Sequence, residues 1–576
     1  MKALLLNKNF WIIIFAGLAA RLVALGIDAV HPTDYTLFWS WARVMDEHGF
    51  SAYYPVASHS DYMPGYLYIL RLKAFIEGVF WDIIPVTHAY GNVVTTYMHR
   101  FVFMLPSILA DVATGALIYV WARNGIKTEP LHERIKLENR ALMLGLLYAL
   151  NPASIIISAV WGQVEAVYVL IVLLSLYMLT KKRFLPAFML YTFGILVKPQ
   201  SIVFGPLFLY FLFEYLRERQ FSVKSFLVVA RNGAVCVAML VIIILPFGTF
   251  YRDVDIADVV QLASPQGHYV RFEESGNVLR IAGNRQGRNN FNPTDIVWTI
   301  DANGYLTARI PHGTGVAVVS EMPAFILQEG YIEDNTTQSS YSDGWTLMPV
   351  FNQFFDTIGQ RPFATVNAYN FWAALGLNWY PIDGGGDWYG ERLFSPPGML
   401  IRVIGYAVGV GGAALAGLWV LIKTKNYFFA GAVTNAMFFM FSERIHDRYG
   451  FAVMLLLLAA IAVSKRVGTG EDAGIKVASA RKERWKNKQA FYAFGWRMLL
   501  VYGGVTLAFF LNYYIVLRNT IAGPPYMWSV SDAMFYSWFF IVPFGYLVYL
   551  TVKITFGKNN AITENKAKVK TENEES

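Results

Sequence analysis

The chain has 576 residues, of which 55% are apolar, 16% are aromatic and only 15% are charged. Its mean hydropathy of +0.39 excludes an ordinary soluble enzyme and predicts a polytopic membrane protein. The formal net charge of +8 does not indicate a nucleic-acid partner, because Lys and Arg lie mainly in loops between apolar spans.

Apolar stretches recur from near Phe10 to near Thr555, and a bilayer-spanning helix needs about 20 such residues. We count about twelve spans, with a range of roughly 10 to 14. The first, Phe10 to about Ile27, is followed by no small-residue cleavage site and is predicted to be a retained helix. Basic loops share a side with the N-terminus and predict that both termini are cytoplasmic.

The first extracytoplasmic loop, about residues 28–98, contains two amphipathic segments introduced by Asp34 and Asp61. Each is too short and polar to span, and each carries Tyr or Trp of the kind that settle at headgroup depth, so we expect interfacial helices. A carboxylate held there could act as a general base toward a hydroxyl. Either aspartate could instead cap its helix, and the spacing leaves both interpretations open.

More polar residues flank apolar spans on the same side: Gln163, Glu165, Lys198, Gln200, His446, Asp447, Arg448 and Tyr449. Glu165 follows Trp161-Gly162 and lies at an apolar span, where a lone carboxylate is costly, so a partner or polar cavity is expected. Plainer interpretations exist for the others. Lys198 could snorkel from a helix end before Pro199, and the segment 442–449 could be a loop of ion pairs.

The polar segment 264–345 differs from the rest of the chain, and we expect a small β-rich extracytoplasmic insertion there. Alternation at 295–300 and 305–310, around Asn303-Gly304, predicts a hairpin. Acceptor binding, a lid and a structural cap remain open roles for it, and we assign it no catalytic one.

The sequence divides into four regions. These are an N-terminal transmembrane module (1–263), the insertion (264–345), a C-terminal transmembrane region (346–556) and a disordered cytoplasmic tail (557–576). In the third region, Thr365 to Trp372 predicts an interfacial helix at the mouth of a cavity. Its Asn367 and Asn370 are candidates for sugar contacts, with packing as the alternative.

Several motifs occur in order along nearly all of the transmembrane chain: His31-Pro-Thr-Asp34, Asp61-Tyr-Met-Pro-Gly-Tyr66, Asn151-Pro152, Trp161-Gly-Gln163, Val197-Lys-Pro-Gln200, the segment 365–372 and His446-Asp-Arg-Tyr449. With them the chain resembles bacterial membrane glycosyltransferases of the GT-C fold, in particular predicted mannosyltransferases similar to the enzyme that adds the second mannose of glycosylphosphatidylinositol anchors. The resemblance implies an all-α GT-C fold in a bacterial or archaeal cytoplasmic membrane, with its site on the extracytoplasmic face.

The resemblance also implies an activity, the inverting transfer of a hexose, mannose above all, from a polyprenyl-phosphate donor to a glycan, lipid or protein acceptor. Asp34 matches the catalytic base, and Arg448, His446 and Lys198 are candidates for binding the donor phosphate. Candidates for other substrate contacts are Asp61, Gln163, Glu165, Gln200, Asn367, Asn370, Asp447 and Tyr449. No cofactor is required and no metal ligand is assigned, although a divalent ion near Asp34 is compatible with the sequence. The oligomeric state stays open.

Two other classes of membrane protein share parts of this pattern. A lipid-linked oligosaccharide polymerase or ligase would use a lipid-diphosphate glycan and a large loop rich in Arg and His, whereas the early aspartate favours the GT-C class. A lipid-linked sugar flippase or transporter is disfavoured, because the chain has no evident repeat of two halves and no paired broken helices.

Overall fold

The computed structural model describes residues 6–27, 30–51, 53–56, 62–79, 97–124, 131–251, 269–271, 280–282, 297–300, 306–309, 344–348, 350–351, 353, 355, 362–383, 395–464, 495–523 and 529–556. Most of these residues are helical. The predicted tail at 557–576, Asp61 and most of the insertion lie outside the described residues.

The N-terminal half is a bundle of helices. Its members are α1 (Lys8–Ala24), α2 (Pro32–His48), α3 (Tyr53–Val56), α4 (Pro64–Val79), α5 (Tyr97–Ala122), α6 (Leu131–Ala149), α7 (Pro152–Ile155), α8 (Glu165–Thr180), α9 (Phe184–Val197), α10 (Gly205–Glu218) and α11 (Val223–Ile244). A π-helical turn, Ile156–Trp161, follows α7, and a 3-10 segment, Pro199–Phe204, joins α9 to α10.

The C-terminal half adds α12 (Phe371–Ala374), α13 (Gly398–Ile404), α14 (Ala413–Thr424), α15 (Tyr427–Phe441), α16 (Ala452–Val463), α17 (Gly495–Ala522) and α18 (Val530–Phe556). Helix α16 is buried almost throughout and packs against α5, α6, α8, α15 and α17. It therefore forms the centre of the bundle, and its hydrophobic side chains join the two halves of the chain.

Five described helical stretches are long and apolar enough to cross a membrane: Tyr97–Ala122, Val223–Phe247, Gly398–Thr424, Gly495–Ala522 and Val530–Phe556. A pair bent by 41°, Arg134–Ala149 with Pro152–Trp161, would make a sixth. The prediction of a polytopic helical membrane protein is supported, but the count of about twelve spans is not confirmed. Apolar helices such as α8 and α16 have only 16 and 12 residues, or roughly 24 and 18 Å.

The strands among the described residues form four two-stranded sheets. Three are antiparallel: β1 (Thr249–Tyr251) with β6 (Gly344–Thr346), β2 (Tyr269–Arg271) with β3 (Arg280–Ala282), and β4 (Val297–Ile300) with β5 (Leu306–Arg309). The pairing of β4 with β5 confirms the hairpin predicted from the sequence, although its turn lies outside the described residues. In the fourth sheet, β7 (Thr365–Val366) runs parallel to β8 (Ile445–His446).

The segment 365–372 is not the interfacial helix that the sequence predicts. Thr365 and Val366 form β7, Asn367 adopts a left-handed backbone with φ 55°, and only Phe371–Ala374 is helical. The left-handed residue prevents a continuous helix, and Asn370 starts the short one by accepting hydrogen bonds from the amides of Trp372 and Ala373. Pairing with β8 places this segment beside the loop at 445–449.

The first predicted interfacial segment is helix α2, and its N-cap is His31 rather than Asp34. The His31 ring nitrogen Nδ1 accepts a hydrogen bond from the Asp34 amide at 3.2 Å. The capping interpretation of Asp34 was therefore wrong, and its side chain in the first turn is available for other contacts. The apolar face of α2, including Tyr35, Phe38 and Trp41, is buried against α4 and its neighbours.

Close packing of α4 on α9 gives a testable prediction. A Cβ atom at Gly65 would lie 2.7 Å from the carbonyl carbon and oxygen of Leu196, which are backbone atoms that cannot rotate away. We expect Gly65→Ala to lower the free energy of unfolding by about 1–3 kcal/mol, measured as a lower melting temperature in detergent micelles. Gly78→Ala on the same helix is the control, because its Cβ would meet no described atom within 4 Å. Equal effects of the two substitutions would contradict the packing argument.

Candidate functional site

Five helix ends meet at one place in the bundle, and each brings a polar residue. Asp34 is in the first turn of α2, Gln163 and Glu165 stand at the start of α8, and Lys198 follows the end of α9. Arg448 lies in the loop that joins α15 to α16. These polar residues stand where helices begin and end, whereas Asp111 is a buried charge in the middle of α5 and pairs with Arg21 of α1. We call Asp34, Glu165, Lys198, Asp447 and Arg448 the charged cluster.

Donors from three described residues hold the carboxylate of Asp34. Its Oδ2 accepts hydrogen bonds from the Trp161 indole Nε1 at 2.8 Å, from the Gln163 side-chain amide, and from Arg448 Nη1 at 3.4 Å. The His31 ring stacks on the Trp161 indole at 4.8 Å with an interplanar angle of 4°. These contacts fix the direction in which the carboxylate points.

A left-handed glycine makes this arrangement of donors possible. The π-helical turn ends on Gly162, whose φ of 82° is the conformation that favours glycine. A Cβ there would also come within 3.2 Å of Met104. The turn reverses the chain between Trp161 and Gln163, so both side chains can reach the same oxygen of Asp34.

One guanidinium faces three carboxylates. Arg448 places Nη1 3.4 Å from Asp34 and 3.6 Å from Asp447, and its Nε lies 3.5 Å from Oε1 of Glu165. The same Glu165 oxygen pairs with the ammonium of Lys198. That ammonium also lies 5.5 and 5.6 Å from the ring centroids of two tyrosines, Tyr168 and Tyr449.

The cluster contains one more acid than base, so its formal charge is −1 when every group is ionised. Asp447 is 2% exposed, and burial raises the pKa of its carboxyl to about 7, with Arg448 opposing the shift. The charges of Asp34 and Glu165 contribute to this raised pKa, and Lys198 also opposes it. Near neutral pH the net charge of the cluster therefore lies between −1 and 0.

Several neighbours of the cluster were not among the predicted site residues. Trp161, which could have been only an interfacial anchor, donates to Asp34, and the Tyr62 hydroxyl lies 3.5 Å from Oε1 of Gln163. Tyr513 on α17 is fully buried with its ring edge-on to Trp161 at 6.1 Å, and it interacts with the charges of Glu165 and Asp447. Nothing in the sequence distinguishes Tyr513 from other tyrosines of an apolar span.

The remaining predicted residues have other surroundings. His446 belongs to β8 and packs its ring against Tyr449 at 5.3 Å. Gln200 lies in the 3-10 segment that follows Lys198. Asn367 accepts hydrogen bonds from Trp379 and Asn378, and Asn370 donates to the carbonyl of Phe439. Protein groups thus hold both asparagines, and their contact with a sugar stays a prediction. Within the described part of the chain, no three acidic, His or Cys side chains could together hold a metal ion.

A family model described as PIG-U, GPI transamidase subunit, matches residues 44–258. Over that range the chain is similar to PIG-U. The match spans less than half of the chain and includes Gln163, Glu165 and Lys198, but neither Asp34 nor Arg448. No curated protein matches the chain.

The similarity to PIG-U supports a multi-pass membrane protein, in agreement with the composition. It overturns the glycosyltransferase prediction, because the matched family is described as a subunit of a transamidase. The bacterial or archaeal source and the sidedness of the site find no support in it and stay predictions.

The pKa of Asp447 predicts a pH-dependent effect on stability. Its ordinary value is 3.8 and its value in the fold is about 7, so the folded chain keeps a proton that the unfolded chain releases. Stability therefore falls as the pH rises between these two values and levels off above the higher one. We expect Asp447→Asn to change little near pH 4 and to stabilise the protein by up to roughly 4 kcal/mol above pH 7. Melting temperatures across this range test it, and a difference independent of pH would contradict it.

Proposed function

We propose that the chain is a recognition subunit that binds the head of a phospholipid-linked glycan in the membrane and presents it within a larger assembly. The observation that carries the proposal is the convergence of the charged cluster at five helix ends. Asp34 and Arg448 keep 16% and 12% of their side chains exposed, so a ligand can reach them without unfolding the site. In this proposal Asp34 binds the ligand, and no catalytic role is given to it.

The cations of the cluster suit a lipid phosphate. Arg448 offers the planar fork that matches phosphate oxygens, and Lys198 supplies a second positive charge on the other side of Glu165. Both cations are already paired with carboxylates, so neither is left as an isolated buried charge before the ligand enters. A phosphate would exchange one set of ion pairs for another.

The neighbours of Asp34 suit a saccharide. A carboxylate and a side-chain amide, such as those of Asp34 and Gln163, can both form hydrogen bonds with hydroxyl groups. The site also lies where apolar helices end. Only 17% of the α11 span and 28% of the α18 span are buried inside the protein, which leaves apolar surface for acyl chains.

The proposal that the chain works within a larger assembly rests on the comparison with known proteins. PIG-U is described as a GPI transamidase subunit, and the similarity over residues 44–258 supports a subunit role for this chain. A glycosylphosphatidylinositol is a phospholipid that carries sugars, which is the ligand class that the cluster fits. We propose further that the helices follow a GT-C-like arrangement, with the insertion at 264–345 separating two transmembrane regions.

Loss of Arg448 should weaken binding of the phosphate. For Arg448→Ala we expect glycosylphosphatidylinositol to bind about 10-fold to 100-fold more weakly, as a charged hydrogen bond contributes about 1.5–3 kcal/mol. Arg448→Lys, which keeps the charge and loses the fork, should give an intermediate loss. Binding is measured with a fluorescent lipid in nanodiscs, beside melting temperatures.

The matched control for this experiment is Arg402→Ala, since Arg402 pairs with Asp383 and neither residue belongs to the charged cluster. It should leave the affinity unchanged. Unchanged affinity in a folded Arg448→Ala protein would contradict the phosphate contact.

A further inference from the structure

Helix α11 carries a positive charge on the outward side of an apolar span. The span Val223–Phe247 is only 17% buried inside the protein, and Arg231 on it is exposed. Arg231 lies roughly 12 Å along the helix axis from Val223, and about two turns deeper in the span than Lys224. An ionised side chain at such a depth is unfavourable when it faces only lipid, so a partner for its charge is expected.

Arg231 differs in this respect from the other charged residues of the five long spans. Within the described part of the chain, those residues lie near a helix end or, as Asp111 does, are buried and paired, here with Arg21. The guanidinium of Arg231 makes one hydrogen bond among the described residues, to Oδ1 of the adjacent Asn232 at 3.3 Å, and no ion pair. The charge that would balance it therefore comes from outside these residues.

We propose that the side of α11 around Arg231 docks a transmembrane helix of a partner protein, and that a carboxylate on this helix pairs with Arg231. The proposal rests on the proposed function, because it concerns the assembly in which the chain works. A lone carboxylate at the same depth would be as unfavourable as Arg231 is, so pairing relieves both charges. The partner is thus a membrane protein with an acidic residue inside one of its spans.

The surroundings of Arg231 on α11 suit a second helix. Residues separated by three or four positions, and by sums of these, lie on one side of a helix, which places Leu227, Ala234, Ala238 and Ile242 beside Arg231. All four are exposed. Small residues let two membrane helices approach closely, and the two alanines leave such room next to the guanidinium. We call these five residues the α11 stripe.

The α11 stripe is separate from the contacts that hold α11 in the bundle. Ser225 and Asn232 are buried on another side of the helix, and α11 packs mainly against α9. A change at Arg231 should therefore leave the fold intact. The remaining exposed residues of α11 and those of α18 stay available to acyl chains.

Lipid phosphates are the other source of negative charge within reach of α11. To meet them at the near interface, the side chain of Arg231 would extend along the helix toward Lys224. Its guanidinium instead contacts the side chain of Asn232, the next residue deeper in the span. This geometry favours a partner inside the membrane over a lipid headgroup.

The test measures binding of model transmembrane peptides to the full-length protein in phosphatidylcholine liposomes at pH 7. The probe is a Leu/Ala helix of about 22 residues with one Asp at the depth of Arg231, and its companion carries Asn there. We expect the Asp peptide to bind at least about ten-fold more tightly than the Asn peptide, as measured by fluorescence energy transfer. Arg231→Leu should bring the ratio of affinities close to one, and Arg231→Lys should keep most of it.

The matched control is Lys224→Leu, which removes a charge from the same helix near its start and should keep the full ratio. Melting temperatures should show that Arg231→Leu folds as the wild type does. Addition of phosphatidylglycerol to the liposomes should also keep the preference for the Asp peptide. Loss of the preference on this addition would overturn the proposal, because lipid phosphates would then occupy Arg231.

The remaining outcomes separate docking from the proposed function. Equal binding of the Asp and Asn peptides to the wild type would overturn the docking, and so would a preference that survives Arg231→Leu. Binding of glycosylphosphatidylinositol, measured on the same protein samples, should be unchanged by Arg231→Leu. Absence of that lipid binding in the wild type would contradict the proposed function, whatever the peptides do.

Discussion

The pairing of Arg448 with carboxylates from three parts of the chain is the interaction on which the rest of the structure depends. A guanidinium in apolar surroundings needs partners. Arg448 finds them in Asp34, 414 positions earlier, in Glu165 and in the adjacent Asp447. These contacts join the first turn of α2, the start of α8 and the loop before α16. The apolar packing of α16 supplies most of the contact area, but the ion pairs decide which helix ends meet.

The same requirement explains why so many helices are short. Each member of the charged cluster enters the apolar bundle at a break or an end of a helix, whereas the buried pair of Arg21 and Asp111 forms between residues within helices. Gly162 turns the chain with a left-handed φ, Pro199 follows Lys198, and the loop 442–451 separates α15 from α16. The breaks that build the site therefore also shorten the apolar helices that surround it.

Sequence reasoning found the membrane class, the β4–β5 hairpin and the polar residues that the structure brings together at the helix ends. The predictions from sequence were wrong where tertiary contacts determine the local structure. The segment 365–372 pairs with β8 instead of forming a helix, and His31 caps α2 in place of Asp34. Tyr513 gave no signal, because only the packed structure brings it to Trp161. The enzyme class was wrong because carboxylates, amides and cations at helix ends would suit a transferase and a binding protein equally well.

An experimental density map of the full-length chain in a nanodisc, with saturating glycosylphosphatidylinositol, would test the central claim most directly. The account predicts density for the lipid head against Arg448 and Glu165, with acyl chains along the exposed apolar helices and a looser contact between Arg448 and Asp34. A head bound elsewhere, with the pairs of the charged cluster unchanged, would contradict the claim and leave the cluster as a structural element that holds the helix ends together.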